Sequence, residues 1–358
     1  MQLGGRYGDF LALVRLGIGN SNCNSLLKAD WTGLMALAEQ QGLMGVVLDG
    51  IEKLPETARP PKVQMLQWIG QAMQGYEQRY VDYCQAIASL SKFYSSHGFK
   101  MMVLKGYACS MNWPKPEHRP CGDIDIWQFG QYKEADATLA KGLGIEIDTS
   151  HHHHTVFYWR DFMVENHYDF VNVHAHRSSL EMEKEFKKLG QDDSHFCEVF
   201  GEKVYLPSPN LHALFLLRHA AGHFASEGLT MRQVIDWAFF VKANTDKIDW
   251  VWLNELLVKN GMKQFVECLN AICVEELGFE PELFPNIQFN PYLKGKVLKE
   301  VLAPEYTTDL PDNLVPRMVY KYKRWKANKW KRELCYNESD WDAFWTGVWA
   351  HIIKPRTI

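Results

Sequence analysis

The segment Gly122-Asp123-Ile124-Asp125-Ile126 constrains the fold more than any other stretch of this 358-residue chain. On a strand, side chains two residues apart share a face. Asp123 and Asp125 therefore project together, while Ile124 and Ile126 enter a core behind them. Two adjacent carboxylates repel and raise each other's pKa unless positive charge sits between them. A hard divalent cation, Mg²⁺ or Mn²⁺, meets that need with oxygen ligands and keeps positions for phosphate oxygens. The plainer alternative is an edge strand carrying two solvated aspartates.

The upstream context favours the first reading. Val103-Leu104-Lys105-Gly106-Tyr107-Ala108 reads as a strand that meets a glycine turn and then a short helix. Backbone N–H groups at such a turn suit an anion. Lys105 adds a point charge at the same turn, and Arg119 lies four residues before Asp123.

Hydrophobic periodicity divides the chain into three regions. Residues 1–97 read as an N-terminal helical region. It includes Trp31 to Ile51, then breaks at Pro55, Pro60 and Pro61, then a long periodic stretch from Val63 to Tyr94. Residues 98–206 read as the core, with strands at Phe99 to Gly106, Asp123 to Trp127 and Gly144 to Asp148 and a helix at Tyr132 to Gly142. His154 to Arg160 and Phe162 to Val173 complete it as a hairpin. Residues 207–358 read as a C-terminal helical region: four helices from Leu211 to Leu277, a loop over about 280–316, and a basic aromatic helix that ends before Pro355. Strands with interposed helices predict an α+β fold with a mixed sheet flanked by helical regions.

Composition bounds the partners. Hydrophobic residues at 46% and charged residues at 23% are ordinary for a globular protein, and a net charge of -4 gives no global attraction to nucleic acid or anionic lipid. No stretch nears the roughly 20 apolar residues needed to span a bilayer, and the N-terminus lacks the features of a signal peptide. The eight cysteines, from Cys23 to Cys335, form no CxxC pair, which fits reduced, buried thiols and a cytoplasmic location.

The block VLKGYACSMNWPKPEHRPCGDIDIW resembles the bacterial uncharacterised nucleotidyltransferase family of the polymerase-β-like nucleotidyltransferase superfamily, marked by LKG and then R-x-x-G-D-I-D. The resemblance runs through the histidine-rich hairpin to LHALFLLRHAAGHF and RQVIDWAFFV, roughly residues 20 to 275. It implies a nucleotidyltransferase-type sheet and a metal-dependent transfer of an NMP from an NTP, with ATP the expected one, to an acceptor with release of pyrophosphate. Asp123 and Asp125 would be the catalytic metal ligands. Lys105, Gly106, Tyr107, Arg119 and Gly122 would bind the nucleotide. The family also places an acidic residue two positions before a histidine on a later strand. With His174 as that histidine the third position is Asn172, a neutral ligand that cannot act as a base. That substitution supports an alternative, a weak or inactive nucleotide-binding module.

Asn172, His174 and His176 alternate along one expected strand face, and the resemblance turns His219, His223, Arg232 and Asp236 toward the cleft. A metal site of hairpin imidazoles competes with histidines that hydrogen-bond locally. His219 and His223 stand i, i+4, yet Ala220, Ala221 and Gly222 between them exclude the HExxH metalloprotease pattern. Arg232 and Asp236 are also i, i+4 and suited to pair with each other. The stripe Arg317 to Arg332 combines eight Lys/Arg with aromatic residues. RNA contact would use it, but a solvated helix with inward-packed aromatics is the simpler reading. The acceptor is thus a small molecule, a protein side chain or an RNA end.

Overall fold

The computed structural model describes residues 5–21, 29–226, 228–285, 288–306, 310–338 and 341; Cys23 and Pro355 lie outside them. The chain opens with helices α1 (Arg6–Gly17), α2 (Trp31–Gln40), α3 (Met44–Glu52), α4 (Lys62–Ala72) and α5 (Arg79–Ser96). The single helix expected from Trp31 to Ile51 is two, because Gly42 at φ +66° leaves the helical region between them. A π-helical stretch, Met73–Gln78, joins α4 to α5 without interrupting the long periodic segment.

The middle of the chain supplies β1 (Met102–Val103), α6 (Tyr107–Ser110), β2 (Ile124–Trp127), α7 (Tyr132–Leu143), β3 (His154–Trp159), β4 (Phe162–His167), α8 (Ser179–Leu189), β5 (Phe196–Val199) and β6 (Glu202–Tyr205). The fold is α+β, and the six strands form one mixed sheet in the order β3-β4-β2-β1-β6-β5. β2 runs parallel to β4 and β1 parallel to β6, while the β1–β2, β3–β4 and β5–β6 pairs are antiparallel. Gly144 to Asp148 contributes only an isolated bridge, Asp148 to Val156, rather than a strand. The β5–β6 hairpin was not expected; its turn residues Phe200 and Gly201 both have positive φ, which matches the twist of a tight hairpin.

The expected strand Phe162 to Val173 stops at His167. The Glu183 carboxylate on α8 accepts the backbone N–H of Phe170 and Val171 at 3.1 and 3.0 Å, and these bonds replace sheet pairing. Burial pushes the Glu183 carboxyl up to about 7.

Helices α9 (Pro209–Ser226), α10 (Met231–Asn244), α11 (Trp250–Lys259), α12 (Lys263–Glu275), α13 (Pro291–Leu302), α14 (Leu314–Ala327) and α15 (Lys329–Tyr336) complete the described chain. Helix α13 lies inside the expected loop, capped by the Asn290 side chain with Pro291 in its first turn. The basic stripe is two helices broken at Asn328, and Trp330 packs edge-on against Phe224. No described helix is long and apolar enough to cross a membrane. Seven described cysteines are free thiols, six of them buried.

The sheet separates two apolar clusters. Ile124, Ile126 and Val164 pack with Tyr83, Ile87 and Leu90 of α5 and Leu139 of α7. Met102, Leu104 and Trp127, offset by one residue, pack on the opposite face with Phe215 of α9 and the remaining helices. The period-2 alternation thus turns the odd-numbered residues of β2 and β4 toward α9.

His212 of α9 is 4% exposed, with its ring 4.7 Å from Phe240 and Nε2 3.7 Å from Cys109 Sγ. Burial holds its pKa down at about 4, with Arg119 adding to the effect and Asp236 opposing it. The unfolded chain takes up this proton near 6.5, so stability falls as pH drops from about 6.5 toward 4, by about 3 kcal/mol at most from this group. His212→Leu should flatten that segment of the stability–pH curve by up to one proton, read from denaturant melts across the range.

Candidate active site

Lys105 follows the last β1 residues, and Leu104 still donates its N–H to the Asp125 carbonyl at 3.0 Å. That pairing places Lys105 Nζ 2.9 Å from Asp125 Oδ1 and 3.8 Å from Asp123 Oδ2. The Asp125 side chain is fully buried, whereas Asp123 just before β2 is 35% exposed. Cross-strand register sets Glu165 of β4 beside Asp125, on the face turned to α9. His167, two residues on, brings Nε2 to 3.2 Å from Asp125 Oδ1 and 3.7 Å from Glu165 Oε2.

These neighbours split the acids. Burial alone would raise Asp125, but Lys105 and His167 hold its carboxyl below the ordinary range. Glu165 is pushed up to about 7 by burial and by the Asp125 charge, with Lys105 opposing. Burial works against the charge on Lys105, yet Asp125, Asp123 and Glu165 together hold its pKa above the usual lysine value. Asp125 Oδ2 remains buried without a hydrogen-bond partner. One ligand atom each from Asp125, Glu165 and His167 lies within 4.8 Å of the others. The donor set therefore fits a divalent cation, with the solvent-facing Asp123 at its open side.

The carboxylate that the structure sets beside Asp125 is Glu165, and Asn172 lies elsewhere. Asn172 lies past the end of β4, where its Oδ1 accepts the His174 N–H at 2.9 Å in a turn. Glu165-Asn166-His167 carries the acid-x-His spacing on the strand, so the signal was present seven residues earlier. His174 and His176 do not share a strand face with it. The His174 ring packs near His152 at 6.4 Å, and His176 stacks on Tyr336 at 3.6 Å with Nδ1 2.7 Å from Glu338.

Gly106 has φ +61°, and a Cβ there would sit 2.3 Å from the Tyr83 hydroxyl. That hydroxyl donates to the Asp123 carbonyl at 2.9 Å, so the absent side chain lets α5 fix the start of the acidic strand. Tyr107 turns away from the site and stacks on Tyr80 at 6.5 Å.

Arg119 lines the cavity described below but is already paired. Its Nε and Nη2 donate to both Asp236 oxygens at 2.7 and 2.9 Å, and Nη1 donates to the Pro120 carbonyl at 3.1 Å. Trp113 Nε1 completes the Asp236 shell at 2.9 Å. The expected Arg232–Asp236 pairing is thus replaced by a buried Arg119–Asp236 pair. Arg232 has no carboxylate within ion-pair reach among the described residues; its Nη1 donates to the Pro120 carbonyl at 3.5 Å. Burial and the Arg119 charge lower its pKa.

A cavity of about 410 Å³ opens on this arrangement, lined by Lys105, Gly106, Gly122, Asp123, Arg232 and the α9 histidines among others. His219 Nε2 lies 3.5 Å from Lys105 Nζ and 3.0 Å from His223 Nε2. Burial, Lys105 and His223 hold the His219 pKa well below the usual value, so its imidazole stays neutral beside the lysine. The structure therefore gathers Lys105, Gly106, Gly122, Asp123, Asp125, His219, His223 and Arg232, adds Glu165 and His167, and separates Tyr107, Asn172, His174 and His176 from them.

A family model described as "Uncharacterised nucleotidyltransferase" matches residues 28–278, well over half of the chain, and the chain belongs to that family. No curated protein matches it. A crystal structure of an antigenic nucleotidyltransferase-like protein from Paracoccidioides brasiliensis is similar with a TM-score of 0.35 and 14% identity, over 57% of this chain and 96% of that one.

Two substitutions separate scaffold from site. Arg119→Ala leaves Asp236 buried without its cation and should cost about 3–5 kcal/mol. Arg232→Ala removes a cation that repels Arg119 and should change stability by less than about 1 kcal/mol. Denaturant melts of both variants check the contrast.

Proposed function

We propose that this member of the uncharacterised nucleotidyltransferase family transfers an NMP from an NTP to an acceptor group, in a metal-dependent reaction that releases pyrophosphate. The observation that carries this reading is the convergence of Asp123, Asp125 and Glu165 around one ammonium, Lys105, which with Asp123 lines a cavity of about 410 Å³. Placement in the polymerase-β-like superfamily belongs to the same proposal.

In this reading Asp123, Asp125 and Glu165 hold Mg²⁺ or Mn²⁺. Bound there, such an ion neutralises the triphosphate and lowers the pKa of the acceptor hydroxyl. Lys105 and Arg232, both on the cavity wall, bind phosphate oxygens, and the open space at Gly122 lets phosphate approach closely. Arg119 acts as a positioning residue: clamped by Asp236, it fixes the segment that leads into Asp123. Most of the catalytic effect is positioning and charge neutralisation. The inactive-module alternative drew its support from a neutral third position; in this reading Glu165 takes that position instead. ATP is the first nucleotide to test; a small molecule or protein side chain is the acceptor class. A role for the basic stripe in RNA binding has weaker support, since Trp330 packs inward on Phe224.

An acceptor screen with α-labelled ATP, CTP, GTP and UTP, read as label transfer and pyrophosphate release, tests the reaction. Asp123→Ala combined with Asp125→Ala should abolish it; retention at the wild-type rate would refute the assignment. Glu165→Gln should lose at least the ~100-fold typical of one preorganised electrostatic contact. Asn172→Ala should stay within about twofold, because Asn172 lies outside the carboxylate group. Equal losses in the Glu165 and Asn172 variants would overturn the placement of the third carboxylate.

A further inference from the structure

We infer that His153, His154 and His167 form a second cation site, distinct from the carboxylate site and selective for a borderline divalent ion of the Zn²⁺ class. One ligand nitrogen from each lies within 4.8 Å of the other two. Their ring centroids are 4.4, 5.5 and 5.4 Å apart. A tetrahedral ion with Zn–N near 2.0–2.1 Å sets its nitrogens about 3.4 Å apart and the ring centroids about 5 Å apart. The three rings already have that spacing, and small side-chain rotations close the nitrogens onto one ion.

The site is built rather than incidental. His154 opens β3 and pairs across the ladder with His167 at the end of β4, so the hairpin register fixes two of the three rings. His153 sits one residue earlier, where its carbonyl accepts the N–H groups of Tyr168 and Asp169, both at 3.0 Å, and locks the bend. His167 has local partners, with Nδ1 3.2 Å from the Asp169 carbonyl and Nε2 3.2 Å from Asp125 Oδ1, but local hydrogen bonding does not account for the other two imidazoles. The Nδ1 atoms of His153 and His154 are buried without a hydrogen-bond partner, and His154 is only 7% exposed. Unpaired buried polar atoms are unfavourable, and an ion coordinated by one of them relieves that cost.

Imidazole donors suit Zn²⁺, Co²⁺ or Ni²⁺, whereas Mg²⁺ prefers oxygen. Charge points the same way: three carboxyls, Asp123, Asp125 and Glu165, face one ammonium, Lys105, beside the imidazoles. Glu165 stands between the two sites, with Oε1 3.8 Å from His154 Nε2 and Oε2 3.7 Å from His167 Nε2. It approaches two of the three imidazoles and offers the fourth ligand. His167 cannot give one nitrogen to two ions, so the hard cation is then held by the three carboxylates alone. An entry path exists: His153 lines a separate cavity of about 850 Å³ on the α14–α15 side of His219 and His223. This inference does not depend on nucleotide transfer.

The test uses the full chain stripped with chelator, then titrated with Co²⁺ in millimolar Mg²⁺. One equivalent should give the intense visible absorption of near-tetrahedral cobalt, displaced by Zn²⁺ and unchanged in Asp123→Ala. His153→Gln combined with His154→Gln should weaken binding by more than the ~100-fold that loss of an outer-shell partner costs. A weak octahedral spectrum, loss of the signal in Mg²⁺ or Asp123→Ala, or equal affinity in the double variant would overturn the site. Should that variant not fold, X-ray absorption of the Zn²⁺-loaded wild type decides: three imidazole ligands support the proposal, and an oxygen-dominated shell overturns it.

Discussion

The interaction on which the site depends is the buried ion pair between Lys105 and Asp125. A carboxylate with no solvent exposure is strongly disfavoured unless a cation and hydrogen bonds compensate it. Lys105 supplies that cation at 2.9 Å, and His167 adds a polar contact at 3.2 Å. The pair joins the turn after β1, the middle of β2, the end of β4 and, through His219, helix α9. The turn after β1 and helix α9 carry residues of the cavity wall, and Asp123, just before β2, adds another. Their relative placement is therefore tied to one electrostatic requirement, and the low local dielectric that makes the requirement strict also strengthens any charge held there.

A second division of labour concerns the arginines. Arg119 and Arg232 both reach the same cavity, yet only one is committed to structure. The bidentate bond to Asp236 takes the guanidinium fork of Arg119, and Trp113 saturates the same carboxylate. Arg232 is left beside Arg119 with a carbonyl for company and Asp123 close enough to be felt. A half-buried cation held next to another cation is poorly compensated in the free protein. An anionic ligand would relieve both, which fits the phosphate contacts proposed for this cavity although the chain as a whole carries a net charge of -4.

The sequence showed the acidic strand clearly because Asp-Ile-Asp-Ile has the period of a strand and Lys105-Gly106 has the chemistry of a turn. Fold class followed from the same period change, and the helices after Pro207 from their apolar spacing. The features that escaped depend on partners far along the chain. Glu165 and Asn172 both precede a histidine by two residues. Only the register with Asp125, and the Glu183 carboxylate that draws the chain out of the sheet after His167, separates them. Arg119 looked available because Asp236, its partner, is 117 residues away. Arg232 and Asp236 looked paired because helical spacing allows it, and tertiary burial overrode that local option. Helix α8 and the β5–β6 hairpin were missed for a related reason: their polar, half-exposed faces weaken the apolar pattern by which such elements are read.

The pleat explains why oxygen and nitrogen donors meet without merging. Odd positions of β2 and β4 present Asp125, Glu165 and His167 on one face, while Asn166 and Thr155 on the other face hold Asp136 of α7 at 2.8 Å each. The antiparallel β3 strand then sets His154 opposite His167, at the edge of the carboxylates rather than among them. Along that face the donors grade from the exposed Asp123 through Asp125 and Glu165 to the imidazoles, with Glu165 common to both ends. A hard cation and a borderline one differ in donor preference more than in size or charge. Under the two-site proposal such a sheet would sort the two ions by chemistry, and Glu165, its pKa pushed up to about 7 by burial and Asp125, is the residue through which occupancy at one end would be felt at the other.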